Sequence, residues 1–283
     1  MRPPALLGIY REQVYSPGKV QADAAVLDAA LSGLSGMGFR TESRGAEFLD
    51  SSMPRPEIVL AMAQSDRVLS ILDEWGGNGS RVVNSAQSIR NCYRKPLMRM
   101  LAEAGAPVPE GYLVELDKAR EDELGRFPNR RWLKRGDVHA IHEGDVAAVA
   151  SAECLAAALD HFRKIGVRDL LVQDHIEGPV VKFYGVGQKR FFRAYLESSG
   201  EEVTARMDSL RTVAAHAAAV IGVEVYGGDA VLSEGGPVLI DFNDWPSFSR
   251  CCRDAGLAIA EYIVDSLEGP VAFGTQAKLF SKR

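Results

Sequence analysis

Residues 229–243 read DAVLSEGGPVLIDFN. Two apolar runs, Ala230-Val231-Leu232 and Val238-Leu239-Ile240, flank SEGGP, a compact Gly-rich turn of the kind that closes a β-hairpin. Folding the chain about Gly235 sets Asp229 roughly opposite Asp241 to Asn243. Asp241 and Asn243 are two apart, so along a continuing strand their side chains share one face. Two carboxylates and an amide oxygen would then meet at one end of the hairpin. Like charges that close are costly unless a cation neutralises them. An all-oxygen set suits a hard ion such as Mg²⁺ (or Mn²⁺), which commonly bridges carboxylates and nucleotide phosphates. The triplet Asp241, Asn243 and Asp244 also suits a strand that ends in a solvated loop. The hairpin by itself leaves both readings open.

Outward from the hairpin, the pattern is α/β. ALLGIY (5–10) is a short apolar strand, and a helix follows with Val20, Ala24, Leu27, Leu31 and Leu34 at helical spacing. Pro17 stands near its start and Gly38 after its end. EIVLAMA and SRVVNS read as further strands, so residues 1–85 suggest a small parallel α/β domain. No G-x-G-x-x-G follows the first strand, which removes the Rossmann dinucleotide fingerprint. A helix from RKPLMRMLAEAG opens the next segment. The strands GYLVEL, RWLKRG and DVAAVA, a helix from a Ser151 N-cap to Gly166, and the strand LLVQDHI complete it. The third segment pairs VVKFYGVG with RFFRAYL around Gly187, then runs through the helix LRTVAAHAAAVIG, the hairpin and a closing helix near GLAIAEYIVDSL. The expected division is 1–85, 86–176 and 177–283.

Composition narrows the function classes. The 283 residues carry a formal net charge of −5, without the basic excess of a dedicated nucleic-acid binder. The opening MRPPALLGIYRE returns to charge too soon for a secretory signal, and no apolar run is long enough to span a bilayer. Cys92, Cys154, Cys251 and Cys252 show no C-x-x-C spacing and read as thiols of a cytoplasmic protein. The expectations are a cytoplasmic location, no nucleic acid and no membrane. Ser247 and the histidines lack the G-x-S-x-G elbow of a hydrolase.

The company of the hairpin weighs further. Lys95 begins a helix, and Lys134 ends a strand just before Gly136, where a compact charge can reach a phosphate held by backbone N–H groups. Gln173 ends LLVQ, and its amide could read the edge of a base. In this order the pieces resemble the ATP-grasp superfamily, and most of all its ribosomal-modification (RimK-type) ligase branch. The resemblance runs through N…K…LAEAGAPVPEGYLV, RWLKRGD, VQDHI and GGDAVLSEGGPVLIDFNDWP, covering essentially the whole chain. It implies a pre-ATP-grasp α/β domain, a central lid domain and a larger C-terminal domain built on an antiparallel sheet. It further implies ATP with Lys95 and Lys134 on its phosphates, Gln173 and the Ile176 backbone at the adenine, and Mg²⁺ on Asp229, Asp241 and Asn243. RGDVHAIHEG would be the loop over the triphosphate, with His139 and His142 either near phosphate or at the surface.

This chain departs from the family in places. Asp241 stands where members often carry Glu, and Val180 and Lys182 stand where the ligases usually have a ribose-binding acid and an Arg. Glu177 or Asp174 could take the ribose instead. The implied activity is a carboxylate–amine ligase working through an acyl phosphate. Its partners would be a small-molecule or peptide carboxylate and an amine, the acceptor being held by Lys182 and Arg193, with Arg250 as another candidate. A homodimer is possible within this family. VVKFYGVG and DFNDWPSF also resemble the inositol-phosphate kinases of the superfamily, which leaves a polyol kinase as the alternative. A catalytically silent nucleotide-binding module is the third.

Overall fold

The computed structural model describes residues 5–119, 124, 130–136 and 144–268. Three four-stranded sheets carry the chain, and each is built within one of the three expected segments. The first holds β1 (Ala5–Tyr10), β2 (Arg40–Gly45), β3 (Ile58–Ala61) and β4 (Arg81–Val83), all parallel, in the order β2-β1-β3-β4. Central parallel strands are covered on both faces, which is why β1 and β3 read as unbroken apolar runs. Alternate residues of β1 go to opposite sides. Leu6 joins a core with Leu27 and Leu34 of α1 (Val20–Gly36), while Leu7 and Ile9 join Leu69, Leu72 and Trp75 of α2 (Asp66–Gly77).

Two details differ from the sequence reading. Val20 is exposed, and the buried face of α1 runs instead through Asp23, Val26, Leu27, Ala30, Leu31 and Leu34. Asp23 is tolerated inside because Arg11 and the Ser16 hydroxyl both bond to its carboxylate, at 3.2 and 2.6 Å. β2 (RTESRG) was not anticipated at all: as a sheet edge it needs no apolar pattern.

The second sheet is antiparallel, in the order β5-β8-β6-β7, from β5 (Gly111–Glu115), β6 (Arg131–Arg135), β7 (Val146–Val149) and β8 (Asp169–Asp174). α3 (Ala86–Asn91) and α4 (Arg94–Glu103) precede it. α5 (Ala152–Lys164) covers one face, packing Leu155, Leu159 and Phe162 on Leu133, Leu170 and Val172. Ser151 caps this helix by accepting the Cys154 N–H at 3.3 Å.

The third sheet is also antiparallel, in the order β10-β9-β11-β12, from β9 (Val180–Val186), β10 (Phe191–Leu196), β11 (Val225–Ser233) and β12 (Gly236–Asp244). α6 (Met207–Ile221) lies on it, and α4 joins the same core through Leu97 and Leu101. α7 (Cys252–Glu268) turns away and packs on α1 of the first sheet. The fit is close. A Cβ added at Gly256 would lie 2.4 Å from that of Ala29, and one at Gly33 would lie 2.9 Å from that of Ala260. Among the described residues no helix is long and apolar enough to cross a membrane.

Candidate nucleotide and metal site

The hairpin forms with a two-residue turn, Ser233 pairing with Gly236. β12 continues as strand through Asp244, so Asp241 and Asn243 are strand residues on one face rather than loop residues. Asp229 lies directly opposite Asp241, and Gly227 opposite Asn243. Gly228 makes this approach possible, since a Cβ there would sit 2.2 Å from the Asp241 carbonyl oxygen. The register shifts between Asp229 and Ala230, whose partner is Leu239, leaving Ile240 as the extra residue of a bulge. The carbonyl of Ile240 accepts a 2.7 Å hydrogen bond from Lys134 Nζ, reaching across from β6.

The electrostatics follow from crowding. Burial, with the Asp241 charge nearby, raises the Asp229 pKa above the usual carboxylate value, while Lys182 opposes the shift from 2.8 Å. Burial draws the Lys182 amine down, but Asp229 and Glu197 carry it net upward. Lys134 is 7% exposed, and burial lowers its pKa to about 8 against the pull of Asp241. Among the described residues no three His, Cys, Asp or Glu side chains form a metal group. The cluster is two facing carboxylates and an amide, an oxygen set that fits a hard divalent ion, whose charge would relieve the Asp229–Asp241 repulsion.

One cavity of about 710 Å³ joins these residues to both neighbouring sheets. At the end formed by the second sheet, Gln173, Ile176, Trp132 and His175 line it. Gln173 is 1% exposed; its nitrogen approaches Met98 Sδ at 3.5 Å, and its oxygen has no partner among the described residues. A buried acceptor left open beside a cavity fits a ligand that brings its own N–H, as an exocyclic amine of a base does. The Trp132 indole N–H donates to His175 Nδ1 at 3.0 Å, fixing the ring at this rim.

Three expected site residues are not brought to the cavity. Lys95 is 64% exposed on its side chain, 3.8 Å from Asp169, and absent from the cavity wall. Neighbouring residues on a helix point about 100° apart, so only one of Arg94 and Lys95 can face inward. It is Arg94, 2% exposed, lining the cavity and donating to the Arg135 carbonyl at 2.7 Å. The sequence alone does not separate Arg94 from Lys95, since both begin the helix and either charge suits a phosphate. Glu177 is 92% exposed and 3.2 Å from His175 Nε2, while Asp174 lines the cavity and pairs with Arg131 at 3.2 Å. Arg193 lies on the correct sheet face but on the edge strand. There it pairs with Glu202 at 3.2 Å, beside the packed rings of Tyr184, Phe191 and Phe248. His139 and His142 lie outside the described residues.

The far wall comes from the first sheet. Arg11 donates to the carbonyls of Met62, Asp244 and Trp245 at 3.2, 3.3 and 2.8 Å, tying the end of β12 to β1 and β3. Asp244 is buried, which lifts its pKa to about 6 although Arg11 opposes the shift, and Gln64 donates to it at 3.2 Å. Nothing in the sequence pattern linked Arg11 or Gln64 to Asp244; the contacts span more than 170 residues.

Two antiparallel sheets closing on a shared cavity, beside a small parallel α/β unit, define the ATP-grasp fold, and solved structures agree. The RimK domain ATP-grasp protein of Sphaerobacter thermophilus superposes with a TM-score of 0.72 at 20% identity, over 92% of this chain and 98% of that one. D-alanine–D-alanine ligase from Bacillus anthracis, solved with ATP, gives 0.73 at 11% identity over 94% and 97%. The chain has the ATP-grasp fold, and its resemblance within that fold is to the RimK type. Among curated proteins, two from Haemophilus influenzae strains named probable alpha-L-glutamate ligase are 23% and 24% identical over 215 residues. The match covers 70% of this chain and 71% and 70% of theirs. No family profile matches the chain.

Proposed function

We propose that this chain is an ATP-dependent carboxylate–amine ligase that releases ADP and phosphate. The observation that carries the reading is the single cavity joining Gln173 at one end to Arg94, Lys134 and the Asp229–Asp241 pair at its centre. The base would lie at Gln173 and the Ile176 backbone, and the triphosphate between Arg94 and Lys134. Asp229, Asp241 and Asn243 would hold Mg²⁺ or Mn²⁺, which when bound neutralises charge on the phosphates. Segments 1–85, 86–176 and 177–283 serve as substrate-side domain, lid and metal-bearing domain, with α4 seated in the last of these cores.

In this reading Lys134 and Arg94 neutralise the phosphate oxygens while a substrate carboxylate attacks the terminal phosphorus in line. The carboxylate O–P bond forms as the bond to the ADP oxygen breaks. An amine then attacks the acyl carbon, expels phosphate and loses a proton to give the amide. The intermediate is prone to hydrolysis, so the chemistry calls for a site closed from water. The curated relatives' name makes glutamate the first amine to try. The test is product analysis after incubation with Mg·ATP and a mixed panel of amino acids, short peptides and inositol phosphates. ADP with a new amide supports the ligase, ADP with a phosphorylated polyol supports a kinase, and AMP with pyrophosphate contradicts both.

A further inference from the structure

The third sheet carries one row of side chains straight across its cavity face. Register places Asp241 opposite Asp229, Asp229 opposite Lys182, and Lys182 opposite Tyr195. Partners opposite one another in antiparallel strands point to the same side. The row therefore runs carboxylate, carboxylate, ammonium, phenol ring. Over that ring lies the Arg250 guanidinium, 5.9 Å from its centroid. Gly200 leaves it room, since a Cβ there would sit 2.2 Å from Arg250 Nη1. Arg250 lines the same cavity.

Arg250 differs from the other cavity arginines. Arg11 is bound to Asp23 and Arg94 to a backbone carbonyl. Arg250 has an aromatic face and a glycine clearance, and among the described residues no carboxylate or carbonyl within bonding distance. A guanidinium held over a ring face keeps N–H groups free to donate, and its planar fork suits a bidentate carboxylate or phosphate. Strands stand about 4.8 Å apart, so the Tyr195 platform lies two spacings, roughly 10 Å, from Asp229.

We infer that Arg250 is a specificity-determining residue of the acceptor site, binding a second anionic group on the substrate whose reactive end meets the phosphate over Asp229 and Lys182. This rests on the ligase reading for the identity of the reactive end. The anion it takes is a carboxylate or a phosphate ester. A substrate with a neutral group at that place leaves the guanidinium unmatched.

The experiment is calorimetry on the full chain loaded with Mg²⁺ and a non-hydrolysable ATP analogue, titrated with L-glutamate, O-phospho-L-serine and L-glutamine. At least one of the two anionic ligands should bind tenfold or more tightly than glutamine, and the better of them identifies the anion. In Arg250→Gln the ratio should fall to near one. Gly200→Ala, which displaces Nη1 without removing the charge, should lower it severalfold. Arg253→Gln, exposed on α7 and away from the cavity, should leave it unchanged. Equal binding of all three ligands to the native protein, or a ratio that survives Arg250→Gln in a folded variant, overturns the assignment. ADP release is read in parallel with hydrolysable ATP. Anion preference without ADP release keeps the Arg250 site and removes the ligase reading. ADP release without preference does the reverse.

Discussion

The strand-borne and the helix- or loop-borne parts of the site differ in how they are held. Asp229, Asp241, Asn243, Lys134 and Gln173 sit on paired strands, and all line the cavity. Lys95, on the first turn of a helix, and Glu177, in a loop, do not, though Ile176 of the same loop does. Among strand residues, Arg193 falls short on the edge strand. A strand offers two directions per residue, and a hairpin with a tight turn fixes which one is used. A helix offers a full circle, and one position of error turns a side chain through about 100°. The lesson is that register, once pinned by a turn, transmits chemical meaning further along a sequence than composition does.

The sharpest way to break that comparison is at its strand end. Asp241→Ala should lower turnover about 1,000-fold while melting temperature and circular dichroism stay near native. Retained Mg-dependent ADP formation in a folded variant would remove Asp241 from the site. On the helix, Arg94→Ala should weaken ATP binding about 10- to 100-fold, the loss of a charge-assisted contact of about 1.5–3 kcal/mol. Lys95→Ala should change it less than about twofold. The opposite order in calorimetry would restore Lys95 to the phosphates.

A third prediction follows from the buried amine. The Lys134 pKa near 8 means that the nucleotide-free protein loses this positive charge as pH rises through that value. Bound phosphate favours the protonated form, so binding takes up a proton on the alkaline side. ATP affinity should fall toward about tenfold per pH unit above 8 and be flat with respect to this group below 7. In Lys134→Arg the fall should disappear. A smaller loss than at Arg94 is expected at Gln173→Leu, which should cost ATP about threefold to tenfold in affinity and lessen its advantage over GTP. An unchanged ATP-to-GTP ratio would take Gln173 away from the base.

How far the sequence reaches can be judged from individual residues. The carboxylate hairpin was legible because SEGGP fixes the turn and the two apolar runs fix the pleat. The ATP-grasp resemblance added the partners of that hairpin, and the solved structures agree on the fold. β2 was not legible, because an edge strand of charged and small residues has no pattern to distinguish it from a loop. Arg193 shows a different limit. Its side chain is on the cavity face of the sheet, but whether an edge strand reaches the cavity depends on the rings of Tyr184 and Phe248 beside it. The Arg11–Asp244 contact was beyond reach, since it joins the first strand to the last through space alone.

The docking of α7 on α1 has a consequence for how the protein is made. The apolar side of α1, with Val26, Leu27, Ala30 and Leu34, is completed by Ile259, Ala260 and Ile263, which leave the ribosome long after α1 does. The parallel sheet with α1 therefore emerges with one flank bare and stays so until synthesis has passed residue 263. A nascent chain arrested near residue 250 should bind chaperones and a hydrophobic dye, while one arrested far enough downstream for residue 268 to clear the exit tunnel should release both.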